Sequence, residues 1–458
     1  MENPILNVDS YKTSHYLQYP PGTSHISSYV ECRGGEFTST VFFGLQAFIK
    51  QYLSTPISSH QIDEAENILT PHGLPFNRDG WNHILNDHNG LMPLEIAAIE
   101  EGQVIPVTNV LAQVVNTCPS CFWLTTYIET ALLRSIWYPS TVATQSREIK
   151  KIISQYLFET AENLDTLEFR LHDFGARGAS SLETAMLGGM AHLVNFKGTD
   201  TISGILAAKR FYNAAVPGAS IPAAEHSTII AWGQQHEEDA YRNILEQFSG
   251  EGKTVAVVSD SYDLWNAIEN IWGKKLKDKV THGGGTLVIR PDSGNPEEIV
   301  IEAIERLMRI FGSQKNKKGY RLLPPFIRVI QGDGITRFVI PKILQAMKEN
   351  NQSTENLTFG MGGGLLQKVD RDMMGFAMKA SAICINGSWY DIFKNPRTGP
   401  EKRSKGGRLA LIRGDDGALR TIVQSDLKSE ANLLRPVYRN GILLKDFTFD
   451  KVRRNAAL

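Results

Sequence analysis

Between residues 167 and 387 the chain repeats one rhythm. A short apolar run ends in a polar or glycine-rich turn, and a helical stretch follows. The run ends are LEFRLHDFGARG, HLVNFKGTD, SIPAAEHST, VAVVSDSYD, LVIRPDSG, IRVIQGDG, LTFGMGGG and KASAICING. Among the intervening stretches, DTISGILAAKRFYNAA, HEEDAYRNILEQF, EEIVIEAIERLMRIF and FVIPKILQAMKEN carry apolar residues at three- and four-residue intervals, the helical spacing. Eight such units suggest an α/β fold of parallel strands joined by helices, closed as a (β/α)8-type barrel or an irregular relative of one. In such a fold the turns after the strands open on one face, where barrel enzymes place their sites.

The flanking segments read differently. HISSYVECR alternates, with Ile26, Val30 and Cys32 on one side and Tyr29, Glu31 and Arg33 on the other, which predicts a half-buried strand. VFFGLQAFIKQYL and WLTTYIETALLRSIW have helical periodicity, and VIPVTNVLAQVVN is β-rich. Near the other end, RLALIRGDDGALRTIVQ and PVYRNGILLKDFTF each place two strands around a turn dipeptide, Asp416-Gly417 and Asn440-Gly441. Both dipeptides suit the positive φ angles of tight hairpins. The expected organisation is a barrel over residues 146–390, with 1–145 and 391–458 building a second, β-rich domain from both chain ends.

Composition narrows the function classes. A net charge of −1 leaves no field to draw the chain to nucleic acid or to an anionic membrane. No run of ~20 apolar residues spans a bilayer. MENPILNVDSYKTSHY lacks the basic-then-apolar order of a signal peptide, so the cytoplasm is expected. The 4 cysteines are too few for a disulfide framework. Cys118-Pro-Ser-Cys121 has the spacing of a redox or zinc half-site, but no second CxxC and no histidine pair completes it, so it reads as structural or incidental.

The strand ends supply the chemistry: His172, Asp173, Phe174 and Arg177; Lys197 and Asp200; Glu225 and His226; Asp260 and Asp263; Arg290 and Asp292; Gly332 and Asp333; then Gly360, Gly362, Gly363 and Gly364. Such a mixture suits a ligand with phosphates, hydroxyls and a flat ring. Arginine grips phosphate through its planar fork. Glycine turns expose backbone N–H groups to it. Carboxylates accept from sugar hydroxyls or hold Mg²⁺, and an aromatic side chain stacks on a ring. Each piece alone also has a structural reading. Arg290 and Asp292 could be an ion pair, His226 a packed or capping residue, and Asp200 the cap of the helix that follows. GMGGGLLQK is not a dinucleotide fingerprint, because Leu365 stands where the last glycine belongs.

Taken in order, HDFGARGASS, NFKGTDT, PAAEHSTI, VVSDSYD, IRPDSGNP, VIQGDG and GMGGGLLQKVDRD resemble the nicotinamide phosphoribosyltransferases, as do DSYKTSHYLQYPPGT and FKNPRTGPEKRSKGGRL. The resemblance implies a pentosyltransferase of NAD salvage. It would join nicotinamide to 5-phosphoribosyl-1-pyrophosphate, with Mg²⁺ as cofactor and ATP as a stimulating co-substrate. It also implies a homodimer with sites at the subunit interface. Phe174 would stack on the pyridine ring, with Tyr11 of the other subunit opposite. Asp200 would accept from the amide and Arg177 would sit beside it. Arg290, Asp292, Gly332 and Asp333 would serve ribose and phosphate, with Asp292 and Asp333 as metal ligands. Gly362 and Gly363 would lend N–H groups to the 5′-phosphate. Arg33, Arg371, Lys379, Lys394 and Lys402 would surround phosphates. His226, beside Glu225 and Asp260, would be the phosphorylated residue that couples ATP. Nicotinate in place of nicotinamide, and a binding protein on an inactive barrel, are the competing readings.

Overall fold

The computed structural model describes residues 3–399 and 403–458. The chain divides into two units. One comprises the chain up to Thr144, Ala208–Ala214 and Asp370–Ala457; the other comprises Gln145–Ala207 and Ala215–Val369. Among the described residues no helix is long and apolar enough to cross a membrane.

In the first unit seven strands form an antiparallel sheet. Their order is Ser388–Asp391, Phe376–Ile385, Thr23–Cys32, Val110–Asn116, Leu94–Ala98, Arg435–Arg439, Ile442–Leu443. Late and early strands alternate in groups, so both chain ends build one sheet, as expected. The hairpin turns also form as expected. Asn440 (φ 48°) and Gly441 (φ 89°) join Arg435–Arg439 to Ile442–Leu443, and the turn at Asp416-Gly417 joins Leu409–Arg413 to Leu419–Val423.

Two expectations are corrected here. The strand Thr23–Cys32 is not half-buried: every residue from Ile26 to Cys32 is buried. Its polar side is paired rather than solvated. The Tyr29 hydroxyl accepts from the Lys405 backbone N–H at 2.9 Å, and Glu31 pairs with Arg33 at 2.8 Å and with Lys405. KASAICING is not a barrel strand either. It lies in Phe376–Ile385, antiparallel to Thr23–Cys32, with Lys379 opposite Tyr29. An apolar run shows that a strand is buried, but it does not say which strand it pairs with.

The second unit holds the barrel. Six parallel strands lie in the order Gly198–Thr199, Leu171–Asp173, Leu357–Met361, Ile327–Gln331, Thr286–Arg290, Thr254–Val258. The segment 219–223 bridges the two outermost strands. Ala219 pairs with Gly198 on one side and Ala223 with Ala256 on the other, both parallel. The expected SIPAAEHST strand is therefore an irregular strip that closes the ring. The connecting helices follow from local rules. Pro296–Phe311 starts with the Asn295 side chain accepting from the Glu297 N–H at 3.2 Å and with Pro296 in its first turn. It buries Val300, Ala303, Ile304 and Leu307, and ends at Gly312 with φ 87°.

Candidate active site

The strand Leu171–Asp173 hands the chain to Phe174, whose N–H donates to the Met361 carbonyl at 3.0 Å. That bond holds the Phe174 backbone against the neighbouring strand. The Phe174 ring packs on Ala256, Val288 and Ile330, with Ile221 alongside. Glycine makes this placement possible. A Cβ on Gly360 would sit 1.9 Å from Phe174 Cε2, and one on Gly332 would sit 3.3 Å from it. Ile221, Val288 and Ile330 also line a cavity of about 280 Å³ that reaches Thr254 and Thr286 at the strand starts. Phe174 is therefore a half-buried aromatic platform at the barrel mouth.

Two carboxylates lie at the ends of the paired strands Leu171–Asp173 and Gly198–Thr199. Asp173 is fully buried. Its Oδ1 accepts from the Gly175 N–H at 2.7 Å, while its Oδ2 is buried without a hydrogen-bond partner. Burial pushes this carboxyl up to about 6, and the charge of Asp200 adds to the rise. Asp200 is exposed; its N–H donates to the Asp173 carbonyl at 2.9 Å and its carboxylate accepts from the Ser220 hydroxyl. Burial lowers the neighbouring His172, and Asp200 opposes that shift. Asp173 is the acid to which sequence reasoning gave no role. Its place at a strand end was the available signal, but its complete burial was not readable there. Arg177 lies exposed on the short turn Ala176–Gly178.

A second cluster forms where His226 begins a one-turn helix. His226 Nε2 lies 3.1 Å from Asp260 Oδ1, and Nδ1 lies 3.7 Å from Asp292 Oδ2. The other Asp260 oxygen accepts from the Asp292 N–H at 2.9 Å and from the Ser293 hydroxyl at 2.5 Å. Asp260 thus clamps the imidazole to the turn after Thr286–Arg290. Arg290 ends that strand, and its Nε is buried with no partner. Burial raises the Asp292 carboxyl; Arg290 opposes the rise, and Asp260 and Asp333 add to it. An arginine and an aspartate two positions apart are therefore both half-buried where this strand ends. Asp292 and Asp333 are oxygen donors of the kind a hard dication takes, and the like charges crowding Asp292 are what such an ion relieves. Glu225 accepts from the Ser227 hydroxyl.

Gly332 and Asp333 follow the strand Ile327–Gln331, where Gln331 Nε2 donates to the Asp333 carbonyl at 3.0 Å. Gly362 and Gly363 open a short helix after Leu357–Met361, and a Cβ on Gly178 would come within 3.2 Å of Gly363 Cα. The barrel thus carries Phe174, Arg177, Asp200, Glu225, His226, Asp260, Arg290, Asp292, Gly332, Asp333, Gly362 and Gly363 on the turns after its strands. Asp263 instead caps a helix, its side chain accepting from the Trp265 and Asn266 N–H groups. Lys197 pairs with Glu168 at 2.5 Å.

Arg33, Arg371, Lys379 and Lys394, also expected at phosphates, belong to the first unit. Lys379 is half-buried; burial lowers it, Glu129 opposes that, and Arg33, Lys12 and Arg371 lower it further. Lys12 had no signal beyond its place in DSYKTSHY. It is buried, pairs with Glu129 at 2.7 Å and stands 5.4 Å over the exposed Tyr11 ring. Arg371 pairs with Asp372 at 3.0 Å, and Lys394 is exposed. Lys402 lies outside the described residues.

Comparison with known proteins adds a second line of observation. Residues 169–442 match the nicotinate phosphoribosyltransferase (NAPRTase) family, and residues 3–96 match the N-terminal domain of nicotinamide phosphoribosyltransferase. The chain is 47% identical to a nicotinamide phosphoribosyltransferase of Xanthomonas campestris pv. campestris over 100% of its own length and 98% of that protein. It is 31% identical to one of Acinetobacter baylyi over 99% of its length and 97% of the relative. Among solved structures, nicotinate-nucleotide pyrophosphorylase from Pyrococcus furiosus superposes with a TM-score of 0.64, covering 99% of this chain and 95% of that one. At 16% identity, that likeness speaks for the fold alone.

Proposed function

Because this chain belongs to the nicotinate phosphoribosyltransferase family of pentosyltransferases, we propose that it transfers the phosphoribosyl group of 5-phosphoribosyl-1-pyrophosphate to nicotinamide. The products are nicotinamide mononucleotide and pyrophosphate. The observation that carries the choice of base is the exposed carboxylate of Asp200, whose N–H donates to the carbonyl of Asp173, the residue before Phe174. A carboxamide offers Asp200 an N–H donor. The carboxylate of nicotinate meets a like charge. Two unit charges ~5 Å apart at an effective dielectric of about 20 repel by roughly 3 kcal/mol. Asp200 is exposed, so solvent screens part of this, and a preference of at least about tenfold is expected.

The chemistry needs no protein nucleophile. The pyridine nitrogen lone pair attacks ribose C1 and forms the new N–C1 bond, while the C1–O bond breaks and pyrophosphate departs with its electron pair. Inversion at C1 follows. Phe174 orients the ring, and this positioning lowers the barrier most. Arg290 and the glycine turn at Gly362 and Gly363 hold phosphate oxygens, while Asp333 takes ribose hydroxyls. Mg²⁺, held by Asp292 and Asp333, would neutralise charge developing on the pyrophosphate. Tyr11 acts from a second copy of the chain, as do several of Arg33, Arg371, Lys379, Lys394 and Lys402, so the working enzyme is a homodimer.

His226 couples ATP to synthesis. With Asp260 accepting the Nε2 proton, the free lone pair lies on Nδ1; it attacks the terminal phosphorus of ATP, ADP leaves with the electron pair of the broken P–O bond, and water later takes the phosphoryl group as inorganic phosphate. The deciding experiment measures pyrophosphate release with each base, for the native enzyme and for Asp200→Asn. The native enzyme should favour nicotinamide, and the variant should lose most of that preference. Equal kcat/KM for both bases in the native enzyme would defeat the proposal.

A further inference from the structure

The first unit holds four metal-type donors that the transferase chemistry does not use. His83, His88, Cys118 and Cys121 each offer one donor atom, and the four atoms lie within 4.8 Å of one another. We propose that these side chains bind one Zn²⁺ as a structural site. This overturns the reading of Cys118-Pro-Ser-Cys121 as an unpaired half-site: the histidine pair that completes it lies about thirty residues upstream.

Packing brings the halves together. His83 stands near the end of the helix Arg78–Asp87, and His88 is its C-terminal cap. That helix docks through Trp81, which is 1% exposed. Its indole meets Trp123 edge-on at 4.9 Å and Tyr127 at 5.2 Å between ring centroids. Trp123 and Tyr127 follow closely after Cys121, so the same contact that seats the helix sets it beside the turn Pro119–Cys121. His83 Nε2 ends 3.3 Å from Cys118 Sγ. Asn116 fixes the turn from the other side, its Nδ2 donating to the Cys118 carbonyl at 2.8 Å.

The donor set selects the ion. Two thiolates and two imidazoles suit tetrahedral zinc, and soft sulfur excludes magnesium. Around an ion with Zn–S near 2.3 Å and Zn–N near 2.05 Å, the ligand atoms stand roughly 3.3–3.8 Å apart. Side-chain rotation closes the set to that size. Four protein ligands leave no open position, which makes the site structural rather than catalytic. Two further features point to a ligand. Asp87 Oδ2 lies 2.6 Å from His83 Nδ1, the carboxylate that orients a metal-binding imidazole and leaves Nε2 for the ion. The His88 Nε2 atom is buried with no hydrogen-bond partner. A plain Cys118–Cys121 disulfide would need neither histidine nor the orienting carboxylate.

The test uses the full-length protein, expressed with zinc and purified under reducing conditions. Mass spectrometry of the metal content should find about one zinc per chain. After chelation, back-titration with Zn²⁺ should raise the Tm, because an ion that binds only the folded state stabilises it. Titration with Co²⁺ should give the intense visible bands of a tetrahedral thiolate site. The Cys118→Ser/Cys121→Ser variant should lose the zinc. If that variant fails to fold, the Co²⁺ titration of the stripped native protein decides the matter. Three results overturn the proposal: a reduced native protein that takes up neither ion, zinc content unchanged in the double variant, or a Cys118–Cys121 disulfide whose reduction restores no zinc binding.

Discussion

Replacing Gly360 with alanine tests the placement of the aromatic platform. The new methyl carbon would fall 1.9 Å from Phe174 Cε2. Carbon atoms prefer about 3.5–4.0 Å, so one group must move by ~2 Å. The strand cannot yield easily, because Leu357–Met361 is hydrogen-bonded to Leu171–Asp173 on one side and Ile327–Gln331 on the other. The ring is the softer partner, and it should swing off Ala256, Val288 and Ile330. Overpacking of this kind costs about 1–3 kcal/mol of stability. A displaced platform also misaligns the base, and an error of ~1 Å can cost about a hundredfold in rate. We expect Gly360→Ala to destabilise by about 2 kcal/mol in urea unfolding and to cut kcat/KM for nicotinamide by between ten- and a hundredfold. A double-mutant cycle separates this cause from a generic strand defect. In a Phe174→Ala background the ring is gone, so adding Gly360→Ala should cost little. If the alanine costs the same stability with and without the ring, the steric account is wrong.

Other expectations follow from the same geometry. His226→Ala should retain basal synthesis but lose its stimulation by ATP, read as product formed with and without the nucleotide; undiminished stimulation would remove His226 from the coupling. Asp173, pushed up to about 6 in the fold, binds its proton more tightly there than in the unfolded chain. Its contribution is therefore favourable below about pH 4 and is lost as pH rises through about 6. Asp173→Asn should escape that loss, so its stability relative to the native enzyme should improve by on the order of 1–3 kcal/mol between pH 4 and pH 7 in urea titrations. A pH-independent difference would mean that Asp173 titrates in the fold as it does in the unfolded chain. Lys379→Met should raise KM for phosphoribosyl pyrophosphate about tenfold or more while leaving KM for nicotinamide within about twofold, since a charge-assisted phosphate contact contributes ~1.5–3 kcal/mol.

Much of the molecule was legible in order along the chain. The rhythm of apolar runs and amphipathic helices marked the barrel, and Asp416-Gly417 and Asn440-Gly441 marked two hairpins. Period and turn conformation are local properties, set by where side chains point and which φ angles a residue tolerates. The motifs at the run ends were legible for the same reason, and so were most of the residues on the barrel turns.

Partner choice and desolvation are not local, and only the tertiary structure decided them. It sent Phe376–Ile385 to an antiparallel sheet and closed the barrel with the irregular strip 219–223. It buried Asp173 beside an exposed Asp200, and it made glycine at 360 the condition for a ring at 174. It also carried His83 and His88 to Cys118 and Cys121 through the packing of one tryptophan. In each case the determining quantity is a distance in space between residues far apart in the chain, and no window of sequence contains it.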